Sequence, residues 1–232
     1  IKRQKMSNSK LITASVALAG PLSRITKKGE AVGLLMPNVN GLVVAFFAMQ
    51  STGRVPAMLN YTAGLASLKA ACVAAELRTI VTARAFIDQA KLGDVVIGLE
   101  GDGIEFVWLE DLGAKIDLLA KMRALVASKF AARNHHFLRI SPNDPAVILF
   151  TSGSEGLPKG VVLTHRNLLS NCRQLAARID FNASDTVLNA LPNFHSFGLT
   201  GGTLLPMLHG VKTLLYPNPL HYRIVPALVY DS

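Results

Sequence analysis

The 232-residue sequence has little cysteine, few aromatic residues and no long uninterrupted apolar run. Its two cysteines, Cys72 and Cys172, have no CxxC partner. This excludes a disulfide framework and a cysteine-based zinc site, and it favours a reducing, cytoplasmic environment. No apolar segment reaches the roughly 20 residues that a membrane-spanning helix needs. Half of the residues are hydrophobic and only 17% are charged, so the chain can build a packed core and is not mainly disordered.

Positive charge is in excess, with a formal net charge of +9, and most of the excess lies at one end. Residues 1–30 carry +6, whereas the other 202 residues carry only +3. A surface that follows a nucleic-acid backbone usually spreads its basic residues along a stripe with aromatic residues between them. Because only 6% of the residues are aromatic and no nucleic-acid-reading motif occurs, no nucleic-acid partner is predicted.

A second group of basic residues lies between positions 115 and 133. Its members are Lys115, Lys121, Arg123, Lys129 and Arg133. One interpretation is the solvated face of a helix. The alternative is a contact with an anionic membrane or an acidic carrier protein. The sequence leaves both open.

The first 20 residues look like a secretory signal peptide, because a basic start precedes an apolar stretch and the small-residue pattern Ala17-Leu18-Ala19. However, residues at steps of three and four continue one helical face beyond that pattern. These residues are Leu11, Ser15, Leu18, Leu22 and Ile25. We therefore predict an amphipathic helix, capped by Asn8 or Ser9, rather than a signal peptide. A contact of this helix with anionic lipid and a purely structural role both stay open.

Short apolar runs alternate with helical patterns along the chain, which predicts an α/β fold with largely parallel sheets flanked by helices. Predicted strands cover 31–36, 55–59, 79–82, 104–109, 146–150, 161–164, 187–191 and 211–216. Predicted helices cover 39–49, 67–77, 116–127, 166–178 and 222–230. The segment 132–144 is the best candidate for an internal linker, because the turn signals Ser141-Pro142 and Asp144-Pro145 lie at its end.

The most informative segment lies between the strands predicted at 146–150 and 161–164. It combines hydroxyls that can donate to phosphate oxygens, glycines that allow positive φ and close backbone approach, and a lysine that supplies positive charge. In chain order these residues are Thr151, Ser152, Gly153, Ser154, Gly156, Lys159 and Gly160. A polar hairpin turn is the plain structural alternative. The combination favours a polyphosphate-binding loop.

Two better-known loops are excluded by spacing. In the Walker A loop the lysine opens a helix, whereas Lys159 follows Pro158 and leads into a predicted strand. The segment also lacks the GxSxG spacing of the hydrolase nucleophile elbow.

The pattern Thr-Ser-Gly-Ser-x-Gly-x-Pro-Lys-Gly at 151–160 resembles the phosphate-binding signature of the adenylate-forming (AMP-binding) enzymes. These include acyl-CoA synthetases, luciferase-like ligases and peptide-synthetase adenylation domains. Segments 32–38, 53–64 and 191–200 also follow the family pattern, so the resemblance covers essentially the whole chain. Segments 154–156, 195–200 and 219–226 look most like the synthetase part of the bacterial acyl-acyl carrier protein synthetase / 2-acylglycerophosphoethanolamine acyltransferases. Glu155 departs from the family, which usually has Thr or Ser there, and we expect it to turn away from the phosphates.

This resemblance implies that ATP activates a long-chain fatty acid to an acyl-adenylate, after which a thioester forms on acyl carrier protein. Magnesium would enter with ATP. Lysophospholipid and the bacterial inner membrane are further implied partners of a cytoplasmic enzyme. A fatty acyl-CoA synthetase, which uses CoA as the acceptor, and a non-catalytic binding module of the same fold stay open as alternatives.

The resemblance also implies the site residues. The β- and γ-phosphates would be held by Thr151, Ser152, Gly153, Ser154, Gly156, Lys159 and Gly160. His195 would act beside the reacting carboxylate, with Phe194 and Phe197 as an apolar wall. The other histidines lack HxxxH-type spacing, so no structural metal is predicted.

For the domain organisation, we expect residues 1–232 to form the first part of the large N-terminal AMP-binding domain, with a sub-boundary near 132–144. The family's adenine and ribose motifs, and its small C-terminal domain with the catalytic lysine, do not follow in this sequence. The expected consequence is that this chain alone does not complete adenylation.

Overall fold

The computed structural model describes residues 5–152, 157–182, 184–217 and 223–230. It contains one six-stranded sheet, a separate two-stranded sheet, and helices packed around them. The predicted α/β fold with largely parallel sheets is therefore confirmed.

The elements follow each other in the alternating order that the sequence predicts. The strands are β1 Ala31–Leu34, β2 Val55–Met58, β3 Thr79–Thr82, β4 Glu105–Trp108, β5 Pro145–Ser152, β6 Pro158–Thr164, β7 Thr186–Asn189 and β8 Lys212–Leu215. The helices are α1 Asn8–Ile25, α2 Asn40–Gln50, α3 Gly64–Ala74, α4 Arg84–Ala90, α5 Gly93–Glu100, α6 Leu109–Ala114, α7 Leu118–Ser128, α8 Ala131–His136, α9 His165–Ala176, α10 Ser196–Leu199, α11 Leu205–Leu208 and α12 Ile224–Tyr230. A π-helical turn, Thr200–Leu204, connects α10 to α11.

The six strands of the large sheet lie in the order β4-β3-β1-β2-β5-β6. All neighbours are parallel except β5 and β6, which form an antiparallel hairpin. The carboxyl ends of β1 to β5 therefore lie along one edge, and the turn between β5 and β6 lies at that same edge. In open α/β sheets, ligands bind outside the carboxyl ends of the strands.

Two apolar clusters cover the two faces of the large sheet. Val32 and Met58 pack with residues of α1 and α2 in one cluster. Ala57 and Ile80 pack with residues of α3 and α5 in the other. Every residue of β2 and β3 is buried, as expected for parallel strands that helices cover on both faces. Burial of apolar side chains on both faces stabilises the sheet that carries the candidate site.

Helix α1 confirms the predicted N-terminal helix, but its cap differs from the prediction. Ser7 is the N-cap, and its hydroxyl accepts a hydrogen bond from the Lys10 backbone N–H at 3.2 Å. The prediction of Asn8 or Ser9 as the cap was wrong, because both lie inside the first turn and only Ser7 has the extended backbone that a cap needs. Ser15 and Leu22 of the predicted stripe are buried.

The sequence prediction also missed several short helices. Three of these, α4, α5 and α6, have six to eight residues, too few for a clear periodic pattern. Helix α8 occupies the first part of the predicted linker 132–144. Among the described residues, none of the helices combines the length and the hydropathy that a membrane span requires.

Candidate functional site

The β5–β6 hairpin presents the predicted phosphate-binding segment at the carboxyl edge of the sheet. Thr151 pairs with Lys159, and Phe150 pairs with Gly160, in the antiparallel register. Residues directly opposite one another in such a pair project their side chains from the same face. The Thr151 hydroxyl and the Lys159 ammonium therefore share a face, and both residues are exposed at the base of the turn.

The centre of the predicted loop, with Gly153, Ser154 and Gly156, lies outside the described residues, as does Glu155. The backbone of Ser152 belongs to β5 and pairs with Pro158. The anion-binding arrangement of backbone N–H groups therefore stays a prediction, and so does the orientation of Glu155.

Gly160 does not use the positive φ that glycine allows. The described glycines with positive φ are Gly29, Gly53, Gly64, Gly103 and Gly210. Gly160 is instead a strand residue, which explains its ordinary backbone. A Cβ at this position would meet Ile148 Cγ2 at 3.5 Å and Phe150 Cε1 at 3.7 Å, both ordinary contacts. Its proposed contact with phosphate remains a prediction.

His195 lies in the loop that leads from β7 into α10, where it is the residue before the first helical turn. Its side chain is exposed, and its ring centre lies 4.7 Å from that of Phe194. Phe194 is buried and meets Tyr61 edge to face at 5.2 Å. Tyr61 follows the carboxyl end of β2, so this aromatic contact brings the His195 loop to the carboxyl edge of the large sheet.

The two phenylalanines expected to form an apolar wall differ in burial. Phe194 belongs to the core cluster that includes α1 and α2. Phe197 is 61% exposed. Phe194 is therefore held in place by the core, whereas a role of Phe197 against an acyl chain stays a prediction.

A buried polar network fixes the His195 loop, and the sequence analysis missed it. The Asn38 amide nitrogen donates to Leu191 O at 2.6 Å, and its oxygen accepts from both the backbone and the side-chain nitrogen of Asn193 at 3.0 Å. Thr203 Oγ1 donates to Asn193 Oδ1 at 2.6 Å. Asn189 Nδ2 donates to Gly198 O at 3.0 Å and Thr203 Oγ1 at 2.9 Å.

This network joins the two sheets, because Asn38 follows β1 whereas Asn189 ends β7. Close backbone packing supports it. A Cβ on Gly198 would lie 2.2 Å from Pro192 O, and one on Gly202 would lie 2.4 Å from Asn189 Cγ. Only glycine fits there, since real Cβ atoms do not approach so closely. One signal in the sequence was available: Asn189 interrupts an otherwise apolar run.

The described part of the chain offers neither a reactive thiol nor a metal cluster. Both cysteines are buried and free. Burial, helped by the charge of Asp102, raises the pKa of the Cys72 thiol to about 11, and burial also raises the pKa of Cys172. Among the described residues, no group of three or more His, Cys, Asp or Glu side chains could hold a metal ion. Among the described residues of the predicted site, Thr151 supplies a hydroxyl and Lys159 a positive charge, and anion binding by the whole segment stays a prediction.

Comparison with known proteins identifies the family to which this chain is similar. The family model of AMP-binding enzymes matches residues 2–231. The acyl-CoA ligase sidI of Beauveria bassiana is 27% identical over 200 residues, which cover 82% of this chain and 33% of that protein. The long-chain-fatty-acid–CoA ligase of Escherichia coli is 30% identical over 232 residues, covering 88% of this chain and 40% of that ligase.

Solved structures show the same fold. The N-terminal domain of FACL13 from Mycobacterium tuberculosis matches 97% of this chain with a TM-score of 0.76 and 21% identity, over 54% of its own length. The o-succinylbenzoate CoA synthetase of Bacillus subtilis, in complex with its acyl-adenylate intermediate, matches 99% of this chain with a TM-score of 0.74 and 17% identity, over 54% of its own length. The chain spans about a third to two fifths of the length of these curated relatives. With a family match over nearly its whole length, the chain belongs to the AMP-binding enzymes.

Proposed function

We propose that the chain carries the polyphosphate-binding part of an ATP-dependent acid–thiol ligase. The observation that carries the proposal is the β5–β6 hairpin, which sets Thr151 opposite Lys159 at the carboxyl edge of a parallel sheet. Membership of the AMP-binding family supports ATP as the polyphosphate. In this proposal the phosphate-contacting residues are Thr151, Ser152, Gly153, Ser154, Gly156, Lys159 and Gly160.

The proposed first step is attack of a carboxylate oxygen on the α-phosphorus of ATP. A bond forms between the carboxylate oxygen and the α-phosphorus. The bond from the α-phosphorus to the oxygen that bridges it to the β-phosphorus breaks, and pyrophosphate leaves with this bridging oxygen. Both reactants are anions, so catalysis rests on neutralising charge and aligning the two groups rather than on an acid–base pair. Lys159 would supply positive charge toward the leaving phosphates. Magnesium would arrive on the ATP phosphates, since the described residues offer no cluster of their own for it.

We propose that His195 lies beside the reacting carboxylate. It is exposed, it stands at the start of α10, and the buried Phe194 ring next to it is fixed against Tyr61. The Asn38–Asn193 network would act as a positioning device, because it holds the backbone on which His195 is carried.

Two acceptors for the acyl group are supported by different observations. The motif resemblance at 195–200 and 219–226 favours acyl carrier protein, with re-acylation of a lysophospholipid as a later reaction. The relatives named above favour CoA, because they are named as CoA ligases. The long-chain-fatty-acid–CoA ligase also supports a fatty acid as the carboxylate. We further propose that the chain corresponds to part of the large N-terminal domain, as its match to the FACL13 N-terminal domain suggests.

The proposal is tested by fatty-acid-dependent ATP–pyrophosphate exchange. The assay is run on this chain and on any longer natural protein that contains it, each beside its Lys159→Ala variant. We expect exchange with a long-chain fatty acid in the longer protein and a loss of about 100-fold or more in the variant. Holo-acyl carrier protein and CoA are then offered to the acyl-adenylate, and the faster thioester identifies the acceptor. Absence of exchange with any carboxylate would favour the non-catalytic binding module.

A further inference from the structure

Helix α7 packs against the body of the protein through its small residues and turns its large apolar residues outward. At about 100° per residue, the side facing α1 is formed by Ala120, Ala124, Ala127 and Ser128. Ala124 is buried, and Thr13 of α1 donates a hydrogen bond to Ser128 Oγ at 3.1 Å. This arrangement is the reverse of an ordinary surface helix, which buries its large apolar side chains.

The outward side of α7 is a continuous apolar strip. Its members are Leu118, Leu119, Met122, Leu125 and Val126, each between 53% and 73% exposed. They fall within an arc of about 120°, and the i, i+3 and i, i+4 spacings make them neighbours on the helix surface. Single exposed apolar residues, such as Val73 on α3, are normal on a protein surface, but a contiguous strip marks an interaction site.

Basic residues flank this strip on both sides. Lys121 projects about 40° beyond one border of the arc and Arg123 about 40° beyond the other. The neighbouring helices α1 and α8 contain no Asp or Glu. The acidic residue nearest in sequence, Asp117, caps the helix by accepting a hydrogen bond from the Ala120 backbone N–H at 2.7 Å. Asp117 keeps its negative charge in this role, but Lys121, Arg123 and Arg133 outnumber it, so the surroundings of the strip carry a net positive charge.

We infer that the outward side of α7 binds the surface of an anionic lipid bilayer. An apolar strip with lysine and arginine along its borders matches a helix that lies in the membrane interface, with its apolar side among the acyl chains and its basic residues at the headgroups. A protein partner would need an apolar patch bordered by acidic residues at matching positions, whereas an anionic bilayer offers apolar chains beneath negative headgroups over its whole surface. A lipid surface therefore matches both the apolar strip and the basic residues on its borders. This inference does not depend on ligase chemistry, so its failure would leave the proposed function untouched.

Vesicle binding of the folded chain tests the inference. Vesicles of phosphatidylcholine alone are compared with vesicles that contain about 30% phosphatidylglycerol, at low and high salt. We expect binding to the anionic vesicles, weakened by salt. Lys121→Gln with Arg123→Gln should weaken it about fivefold per charge, and Leu118→Gln with Met122→Gln about tenfold or more. Matched controls, Arg78→Gln with Arg178→Gln and Val73→Gln with Ile97→Gln, change exposed residues elsewhere and should bind as the parent does.

A site-specific probe tests contact directly. Because both native cysteines are buried, an environment-sensitive fluorophore can be attached to Met122→Cys and, as a control, to Val73→Cys. We expect a blue shift with anionic vesicles only at position 122. Equal binding to both vesicle types, unchanged binding of the apolar variant, or no blue shift would overturn the inference. So would a dimer in sedimentation that Leu118→Gln with Met122→Gln dissociates, because the strip would then pair with a second copy.

Discussion

Gly198 and Gly202 occupy places where the backbone approaches neighbouring atoms too closely for any side chain. We predict that Gly198→Ala lowers the free energy of unfolding by about 1–3 kcal/mol, because its Cβ would lie 2.2 Å from Pro192 O, a backbone atom that cannot move away cheaply. Urea unfolding measures the change. Gly160→Ala is the matched control, since its Cβ meets ordinary contacts and should change stability by less than about 1 kcal/mol. Equal losses in the two variants would show that the backbone around Gly198 can accommodate a Cβ.

His165, at the start of α9, should make stability depend on pH. Burial lowers the pKa of His165, the nearby His135 lowers it further, and Asp144 opposes them. Because the folded-state pKa lies below the unfolded value, the unfolded chain binds the proton more readily, and stability falls as pH drops below about 6.5.

We therefore predict that the free energy of unfolding rises less steeply between about pH 5 and 7 in His165→Gln than in the parent. Urea unfolding across this range measures both slopes. Parallel pH curves for the two proteins would mean that His165 titrates normally.

At the scale of secondary-structure elements, Arg54 ties α1 to the start of β2. The buried guanidinium donates to Thr26 Oγ1 at 3.1 Å, to Ser23 O at 3.2 Å and to Thr52 O at 2.6 Å. The carbonyl of Ser23 belongs to the last turn of α1, where a cation is also favoured by the helix dipole.

We predict that Arg54→Met costs about 1–3 kcal/mol of unfolding free energy, because it leaves these acceptors without partners. Arg54→Lys should restore little of the unfolding free energy, because a single ammonium cannot reach all the acceptors that the planar guanidinium contacts. Chemical denaturation of both variants tests this. Full rescue by lysine would show that charge alone is what matters at position 54.

The contact between the two sheets depends on the pair Asn38 and Asn193. A double-mutant cycle with Asn38→Ala and Asn193→Ala should give a coupling energy of about 0.5–3 kcal/mol, because each residue supplies the partner of the other. In a longer natural protein that contains the chain, Asn193→Ala should also slow ATP–pyrophosphate exchange if it positions His195. Additive single losses would mean that the two residues act independently.

At the scale of the whole molecule, what was predictable divides into local and non-local features. The alternation of apolar runs predicts the α/β fold, and the predicted strand 79–82 has the same bounds as β3, because buried parallel strands leave a strong local pattern. The strands on either side of the phosphate-binding segment were also predicted, but their antiparallel pairing into a hairpin entered only as the structural alternative to a phosphate-binding loop. The Asn38 network joins residues more than 150 positions apart, and the outward side of α7 depends on which face α1 covers. Apart from Asn189, which interrupts an apolar run, neither feature leaves a signal within one segment.

The central claim is that the β5–β6 hairpin binds polyphosphate through Lys159. The most direct test is the thermal unfolding of this chain, of Lys159→Ala and of Lys27→Ala, titrated with ATP or inorganic tripolyphosphate. Lys27 is an exposed lysine at the amino end of β1, the opposite edge of the sheet. We predict that both ligands raise the Tm of the parent and of Lys27→Ala, and that Lys159→Ala requires about tenfold more ligand or more for the same shift. No stabilisation of the parent, or the same stabilisation of all three proteins, would contradict the claim.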